Sequence, residues 1–110
     1  LVPMNRGILS TVYLRLRPGV GLAKVRAAYA ARWAGEPFVH LLPAGAHPDT
    51  RHVRGTNRCH IGLFVEDDLL CVQSVIDNLV KGAAGQALQC LNLMAGLEAT
   101  TGLPLLPFYP

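Results

Sequence analysis

The junction at residues 76–86, IDNLVKGAAGQ, constrains the fold of this chain more than any other stretch. The apolar run before it, residues 69–75, predicts a β-strand. From Leu79 onward, apolar residues recur at the i, i+3, i+4 spacing of an α-helix, the longest such pattern in the chain. The polar residues form one narrow stripe, which predicts a helix buried over most of its surface: Lys81, Gly85, Gln89 and Asn92.

Asp77 and Asn78 stand where the strand passes into the helix, beside the amide groups that a first helical turn leaves unpaired. A side chain in this place either caps the helix or faces a ligand, and the sequence leaves both readings open. Gly82 and Gly85 each cost a helix about 1 kcal/mol relative to alanine. They leave a flank without bulk, where another group can approach the backbone.

The remaining patterns predict a domain of class α+β. A helix is expected at residues 22–34, and a hairpin turn at residues 66–68 should join two antiparallel strands. The order β-α-β-β-β-α predicts helices on one face of a mostly antiparallel or mixed sheet. The predicted strands are residues 7–17, 37–42, 59–66 and 69–75.

Composition predicts a chain with an apolar surface that meets a partner. Hydrophobic residues make up 51% of the chain and charged residues only 15%, against about 25% charged in an average globular protein. Residues 82–97 are uncharged but fall short of the roughly 20 apolar residues of a membrane span. The chain starts at Leu1 without a signal peptide, and we interpret it as a piece of a longer cytoplasmic protein.

The loop at residues 43–58 is the one long polar connection, and it holds three arginines with no acidic residue between them: Arg51, Arg54 and Arg58. Guanidinium groups match phosphate and carboxylate geometry. The loop is therefore an anion site, a surface that docks on an acidic neighbour, or a solvated segment without a specific role. No basic patch interleaved with aromatic residues occurs, so we expect no binding to nucleic acid.

The sequence predicts neither a metal site nor a catalytic residue. The spacing of His47, His52, Cys59 and His60 matches no zinc motif, and neighbouring residues of a strand point to opposite faces. A nucleophilic cysteine needs a histidine or a helix N-terminus beside it. The three cysteines, Cys59, Cys71 and Cys90, fall on or alternate with predicted core positions, so we expect reduced, buried thiols.

Four runs resemble the N-acetyl-gamma-glutamyl-phosphate reductase family, in order and along essentially the whole chain: PMNRGILST (3–11), EPFV (36–39), VRGTNR (53–58) and IDNLVKGAAGQA (76–87). The sequence is also similar to the broader group of aspartate-semialdehyde and glyceraldehyde-phosphate dehydrogenases. The resemblance implies a glyceraldehyde-phosphate dehydrogenase-like C-terminal domain. The whole enzyme would reduce N-acetyl-glutamyl phosphate to a semialdehyde with NADPH, a step of arginine biosynthesis.

The same resemblance implies roles for individual residues. Asn78 would contact the nicotinamide, Gly82 would let the cofactor approach the helix, and Arg6 would support the substrate pocket. The family's nucleophilic cysteine, histidine base and glycine-rich dinucleotide loop have no counterpart in these 110 residues and would lie upstream of Leu1. No catalytic residue is therefore assigned, and the chain alone should be inactive.

The resemblance also divides the chain. Residues 1–76 would be the sheet platform of a catalytic and dimerisation domain, and residues 77–110 a helix and tail that pack on a nucleotide-binding domain. The parent enzyme would be a dimer or tetramer. A second reading stays open: a free-standing, non-catalytic oligomerisation or binding module with the same fold. The choices between NADP and NAD, and between a glutamyl and an aminoadipyl substrate, also stay open.

Overall fold

Four strands form one mixed sheet in the computed structural model, which describes residues 3–107. The strands lie in the order β1-β4-β3-β2. β4 pairs antiparallel with both β1 and β3, whereas β2 pairs parallel with β3. This confirms the α+β class, the mixed sheet and the predicted order. The bounds are β1 Ile8–Arg15, α1 Leu22–Arg32, β2 Val39–Leu41, β3 Cys59–Glu66, β4 Leu69–Ile76 and α2 Gly85–Met94.

The hairpin between β3 and β4 forms where the acidic turn predicts it. Glu66 pairs with Leu69, so Asp67 and Asp68 make a two-residue loop. Asp67 has a φ of 53°, in the left-handed region that aspartate tolerates better than most residues. Arg15 on β1 donates a hydrogen bond to Asp68 (2.8 Å) on the surface at this end of the sheet.

One face of the sheet carries the hydrophobic core, which we call the apolar layer: Val25 of α1 with Ile61, Leu63 and Leu70 of the sheet. Ile61 and Leu63 are alternate residues of β3, so both point to the face that α1 covers. Leu63 keeps only 2% of its surface exposed. Burial of apolar side chains is therefore what holds α1 on the sheet.

The loop at residues 43–58 packs against β3 and β4 instead of extending into solvent. A β-carbon on Gly62 would lie 2.9 Å from Pro48 Cδ, so the loop needs a glycine at this point of β3. The His47 ring stacks on Phe64 with the ring centroids 4.3 Å apart. His47 Nδ1 also lies 3.1 Å from Gln73 Oε1 on β4.

Strand β1 is exposed along its whole length, on both faces of the sheet. It is an edge strand that pairs only with β4 among the described residues. Its exposed side chains are mostly apolar or aromatic: Ile8, Leu9, Val12, Tyr13 and Leu14. An apolar surface of the kind that the low charge predicts is thus present on this strand.

The last helix departs from its prediction. It begins with a π-helical turn, Val80–Ala84, and continues as α2. Leu91, Leu93 and Met94 are exposed, Met94 to 86%, so the expectation of a helix buried over most of its surface is wrong within the described chain. The buried residues of α2 are Gly85 and Asn92, which belong to the stripe that the polar pattern assigned to solvent.

The thiols also differ in part from expectation. Cys90 on α2 is exposed, because the side of the helix that carries it faces away from the rest of the chain. Cys59 and Cys71 are half-buried, and the three cysteines are unpaired. No helix in residues 3–107 has the length and apolar character needed to cross a membrane. Leu1, Val2 and the last three residues of the predicted tail lie outside the described part.

Candidate functional site

The strand-to-helix junction is organised by Asp77, whose side chain is fully buried. Its Oδ1 accepts hydrogen bonds from the backbone amides of Leu79 (2.8 Å) and Val80 (2.9 Å). Its Oδ2 accepts two hydrogen bonds from Arg6 (2.7 and 3.1 Å) and one from the Gly55 amide (2.7 Å). The cap of the last helix is therefore Asp77. Of the two roles that the sequence left open at this junction, capping and ligand contact, Asp77 has the capping role.

The charge of Asp77 is maintained by these donors. Burial raises the pKa of the carboxyl group, but the hydrogen bonds from Gly55, Arg6 and the two helix amides outweigh burial and hold this pKa below its usual value. Asp77 is thus a buried carboxylate with five hydrogen bonds, and the ion pair to Arg6 balances its charge.

Because Asp77 caps the helix, the side chain of Asn78 is free for another role. Asn78 Oδ1 accepts a hydrogen bond from the Gly7 amide at 2.8 Å. A backbone N–H only donates, so this bond identifies the acceptor as the carbonyl oxygen and leaves Nδ2 on the other side. Nδ2 has no hydrogen-bond partner among residues 3–107. Asn78 therefore presents an unused donor.

Arg6 stands at the edge of a cleft of about 410 Å³. The lining of the cleft includes two cations, Arg6 and Arg54, and several apolar side chains, among them Leu79, Val80 and Leu88. Within the described chain no acidic side chain pairs with Arg54. Apolar walls with a few polar groups are typical of sites for small organic ligands, and here the polar groups favour an anion.

The two glycines of the last helix have different environments. Gly82 is exposed and lies outside the lining of the cleft. A β-carbon on Gly82 would make ordinary contacts, 3.4 Å from the Asp77 carbonyl oxygen and 3.5 Å from Ile76 Cδ1. On Gly85 a β-carbon would lie 2.5 Å from Asn57 Oδ1. The close approach that a glycine permits therefore occurs at Gly85.

The sequence did not identify the hydrogen bonds that hold this helix on the loop. Asn57 is fully buried, and its Nδ2 donates to Gln89 Oε1 at 3.0 Å. Lys81 Nζ donates to the same oxygen at 2.7 Å and lies 5.3 Å from the centre of the Phe38 ring. Burial lowers the pKa of Lys81. The helical spacing of Lys81, Gly85 and Gln89 was the available signal, but it was assigned to the wrong side of the helix.

The three loop arginines do not converge on one point. Arg51 forms an ion pair with Asp49 (2.7 Å) and lowers the pKa of Asp49 to about 2. Arg51 and Arg54 line a second groove, of about 380 Å³, together with Arg6. Arg58 instead lies near His60, whose pKa is lowered mainly by burial and further by positive charges that include Arg58. Two of the three arginines thus remain compatible with an anion site beside Arg6.

The described residues offer no arrangement for metal binding or for thiolate chemistry. No group of three or more His, Cys, Asp or Glu side chains within residues 3–107 is placed to hold a metal ion. Burial raises the pKa of Cys59, an effect that the nearby Lys81 opposes. Cys59 is therefore poorly suited to act as a nucleophile at neutral pH.

Comparison with known proteins decides the family. The family model of the semialdehyde dehydrogenase, dimerisation domain matches residues 1–78. The chain belongs to this family. Over 112 residues it is 54% identical to the N-acetyl-gamma-glutamyl-phosphate reductase of Geobacter sp. (strain M21). It is 53% identical over 113 residues to the enzyme of the same name from Rippkaea orientalis (strain PCC 8801 / RF-1). Both matches cover 100% of this chain and 32% of the relative.

The semialdehyde dehydrogenase match confirms the resemblance that the four sequence runs carry. This chain spans about a third of the length of the curated relatives it matches. The matched residues include all four strands, helix α1 and the Asp77-Asn78 pair. The fold and the family are therefore established together, whereas the roles of Asn78, Gly82 and Arg6 stay predictions.

Proposed function

We propose that this chain is the C-terminal part of an NADPH-dependent N-acetyl-gamma-glutamyl-phosphate reductase, which converts an acyl phosphate to a semialdehyde in arginine biosynthesis. The junction that fixes Arg6, Gly7 and Asn78 around Asp77 carries the proposal. Support comes from the 54% identity, along the whole chain, to relatives of that name. The parent protein would be cytoplasmic.

Asn78 fits a nicotinamide because its unused Nδ2 can donate to a carboxamide oxygen. The bound dinucleotide would supply the hydride for the reduction. Arg6 places a positive charge at the cleft, where it favours an anionic substrate such as N-acetyl-glutamyl phosphate. Gly82 leaves its flank of the helix open to the cofactor. The nucleophilic cysteine and the histidine base would come from the remainder of the parent protein.

The exposed surfaces support the proposed division of the chain. Residues 77–110 would pack the outward apolar side of α2, with Leu91 and Met94, on the nucleotide-binding domain. Residues 1–76 would supply the sheet platform, and the exposed strand β1 would contribute to a homo-oligomer, a dimer or tetramer. Without the remainder of the protein, this chain would be inactive.

The test uses the full-length parent protein and the variant Asn78→Ala. Loss of one hydrogen bond to the cofactor should raise the KM for NADPH about tenfold. The Tm should fall only slightly, because the variant loses the bond from Gly7 to Asn78 while the junction keeps Asp77. Steady-state rates with NADPH and with NADH also determine the preferred dinucleotide. Wild-type values of both KM and kcat would remove Asn78 from the site.

One observation is equally compatible with the second reading, a non-catalytic module. The apolar side of α2 is exposed in this chain, and another copy of the chain could cover it as well as a nucleotide-binding domain. The intact mass of the native product separates the two readings. A native product of 110 residues that dimerises and does not bind NADPH would support the module. A parent about three times as long, active with N-acetyl-glutamyl phosphate, would support the reductase.

A further inference from the structure

We propose that Asp77 is a positioning residue: it holds Arg6 at the cleft and, through the adjoining Gly7 amide, orients the Asn78 carboxamide so that Nδ2 faces the ligand. The proposal rests on the proposed function, because it states how the chain holds the two residues that would meet substrate and cofactor. Asp77 itself touches neither ligand, since it is fully buried.

The two oxygens of Asp77 serve different partners. Oδ1 takes the amides of Leu79 and Val80 and so fixes the first turn of the helix. Oδ2 accepts hydrogen bonds from the Arg6 guanidinium and from the Gly55 amide, and so connects the segment before β1 to the loop at residues 43–58. A single carboxylate therefore joins three segments that lie far apart in sequence.

The link from Asp77 to Asn78 passes through two consecutive residues. Two hydrogen bonds at 2.7 and 3.1 Å fix the Arg6 side chain on Asp77. The next amide, Gly7, donates to Asn78 Oδ1 at 2.8 Å. Gly7 has a φ of +106°, and a β-carbon there would lie 2.8 Å from Thr50 Cβ. The Gly7 amide therefore lies between Thr50 and the Arg6 side chain that is anchored on Asp77, and we infer that loss of the Arg6 anchor lets this amide shift away from Asn78.

The ion pair with Asp77 also fixes the direction of the Arg6 side chain. Arg6 is only 28% exposed, and Asp77 is its ion-pair partner. The cation that faces the cleft is thus held in one direction by two N–H groups, Nε and Nη2, that both donate to Asp77 Oδ2, and two such bonds fix its direction more tightly than one. Without Oδ2 as acceptor, Arg6 would lose this fixed direction.

The test compares Asp77→Asn with wild type in the full-length parent protein. Asparagine keeps one carbonyl oxygen for the helix amides and places an NH₂ group where Arg6 and Gly55 donate. We expect the KM values for NADPH and for N-acetyl-glutamyl phosphate to rise about tenfold or more. The matched control is Asp68→Asn, which removes the exposed ion pair with Arg15 at the other end of β1. This control should keep both KM values.

A second variant, Arg6→Gln, keeps the test decisive if Asp77→Asn does not fold. It leaves Asp77 with three backbone amide donors. If Arg6 holds the Gly7 amide in place, the KM for NADPH rises together with the KM for the acyl phosphate. A change in the acyl-phosphate KM alone would show that Asn78 is oriented independently, and the proposal would be wrong.

The remaining outcomes separate this proposal from the proposed function. An active wild type whose Asp77→Asn variant loses Tm but keeps both KM values would leave the reductase standing and overturn the positioning role. A wild-type parent that neither binds NADPH nor reduces the acyl phosphate would overturn the proposed function, and the positioning role with it.

Discussion

Helices α1 and α2 attach to the same domain by opposite means. Helix α1 turns Val25 toward Ile61 and Leu63 in the apolar layer. Helix α2 turns its polar stripe inward: Gln89 accepts from Asn57, and Asn92 donates to the carbonyl oxygens of Ala99 and Thr101. Three large apolar side chains of α2, Leu91, Leu93 and Met94, are left on the outside.

The difference shows which of the two helices has already buried its apolar side within this chain. Apolar burial is non-directional and is already satisfied beneath α1. The buried hydrogen bonds beneath α2 are directional, and they fix the helix in one place while its apolar side stays available. We call this second region the polar junction: the buried, hydrogen-bonded side chains of Asn57, Asp77 and Asn92. The proposed site lies at the polar junction.

The largest effect should come from the apolar layer. Leu63→Ala removes a buried side chain and should lower the free energy of unfolding by about 3 kcal/mol, through lost burial and a residual cavity. The same truncation on the outward side of α2, Leu93→Ala, should cost less than about 0.5 kcal/mol. Chemical denaturation measures both. Equal losses in the free energy of unfolding for Leu63→Ala and Leu93→Ala would mean that α2 already buries its apolar side in the protein studied.

The next effect is a pH dependence that comes from His60, a buried polar side chain of β3. Burial, with the nearby cations of His40, Arg58 and His52, lowers the pKa of His60 to about 4. An unfolded histidine titrates near 6.5. Between these values the unfolded chain binds a proton that the folded chain does not. The free energy of unfolding should therefore fall as the pH drops from about 6.5 to 4, by up to about 3 kcal/mol.

Thermal unfolding across this pH range, compared with His60→Gln, measures the contribution of His60. The variant should lose less stability on acidification. His47→Gln removes an exposed histidine that is not among the groups acting on His60, and it is the matched control, expected to follow the pH dependence of the wild type. If His60→Gln also follows the wild type, His60 does not control the acid response.

A smaller effect is expected at the contact between α2 and the loop. Gly85→Ala would place a β-carbon 2.5 Å from Asn57 Oδ1 and 2.8 Å from the Val80 carbonyl oxygen. We expect a net loss of about 2 kcal/mol in the free energy of unfolding, since overpacking outweighs the helix propensity of alanine. An unchanged free energy of unfolding would show that the polar junction is less tightly packed than the structure indicates.

The smallest effect is expected at Gly82, three residues earlier. Its exposed position leaves room for a β-carbon, and Gly82→Ala should raise the free energy of unfolding by up to about 1 kcal/mol. If the cofactor approaches the helix here, the same change raises the KM for NADPH in the parent protein. A loss of stability would show that Gly82, like Gly85, is packed.

The sequence predicted the strands and helices in which apolar residues recur with a period of two or 3.6 residues. Strand β3 begins and ends at the predicted residues, and Asp67 takes the left-handed turn between β3 and β4. The sequence predicted the Asp77-Asn78 pair as a candidate site. It did not predict that Asp77 caps the helix while Asn78 accepts from Gly7, because the partners Arg6 and Gly7 lie 71 residues away. No local pattern encodes which oxygen accepts from which segment.

The sequence by itself determined the elements, their order, the α+β class and the family. Short-range periodicity and turn chemistry suffice for the elements and their order. The tertiary structure alone decided which side of α2 faces inward. The pattern of polar and apolar residues is the same for either orientation, and hydrogen bonds from Asn57 and to the tail carbonyls select the polar side. A stripe indicates that a helix has two sides, and only its neighbours determine which one is buried.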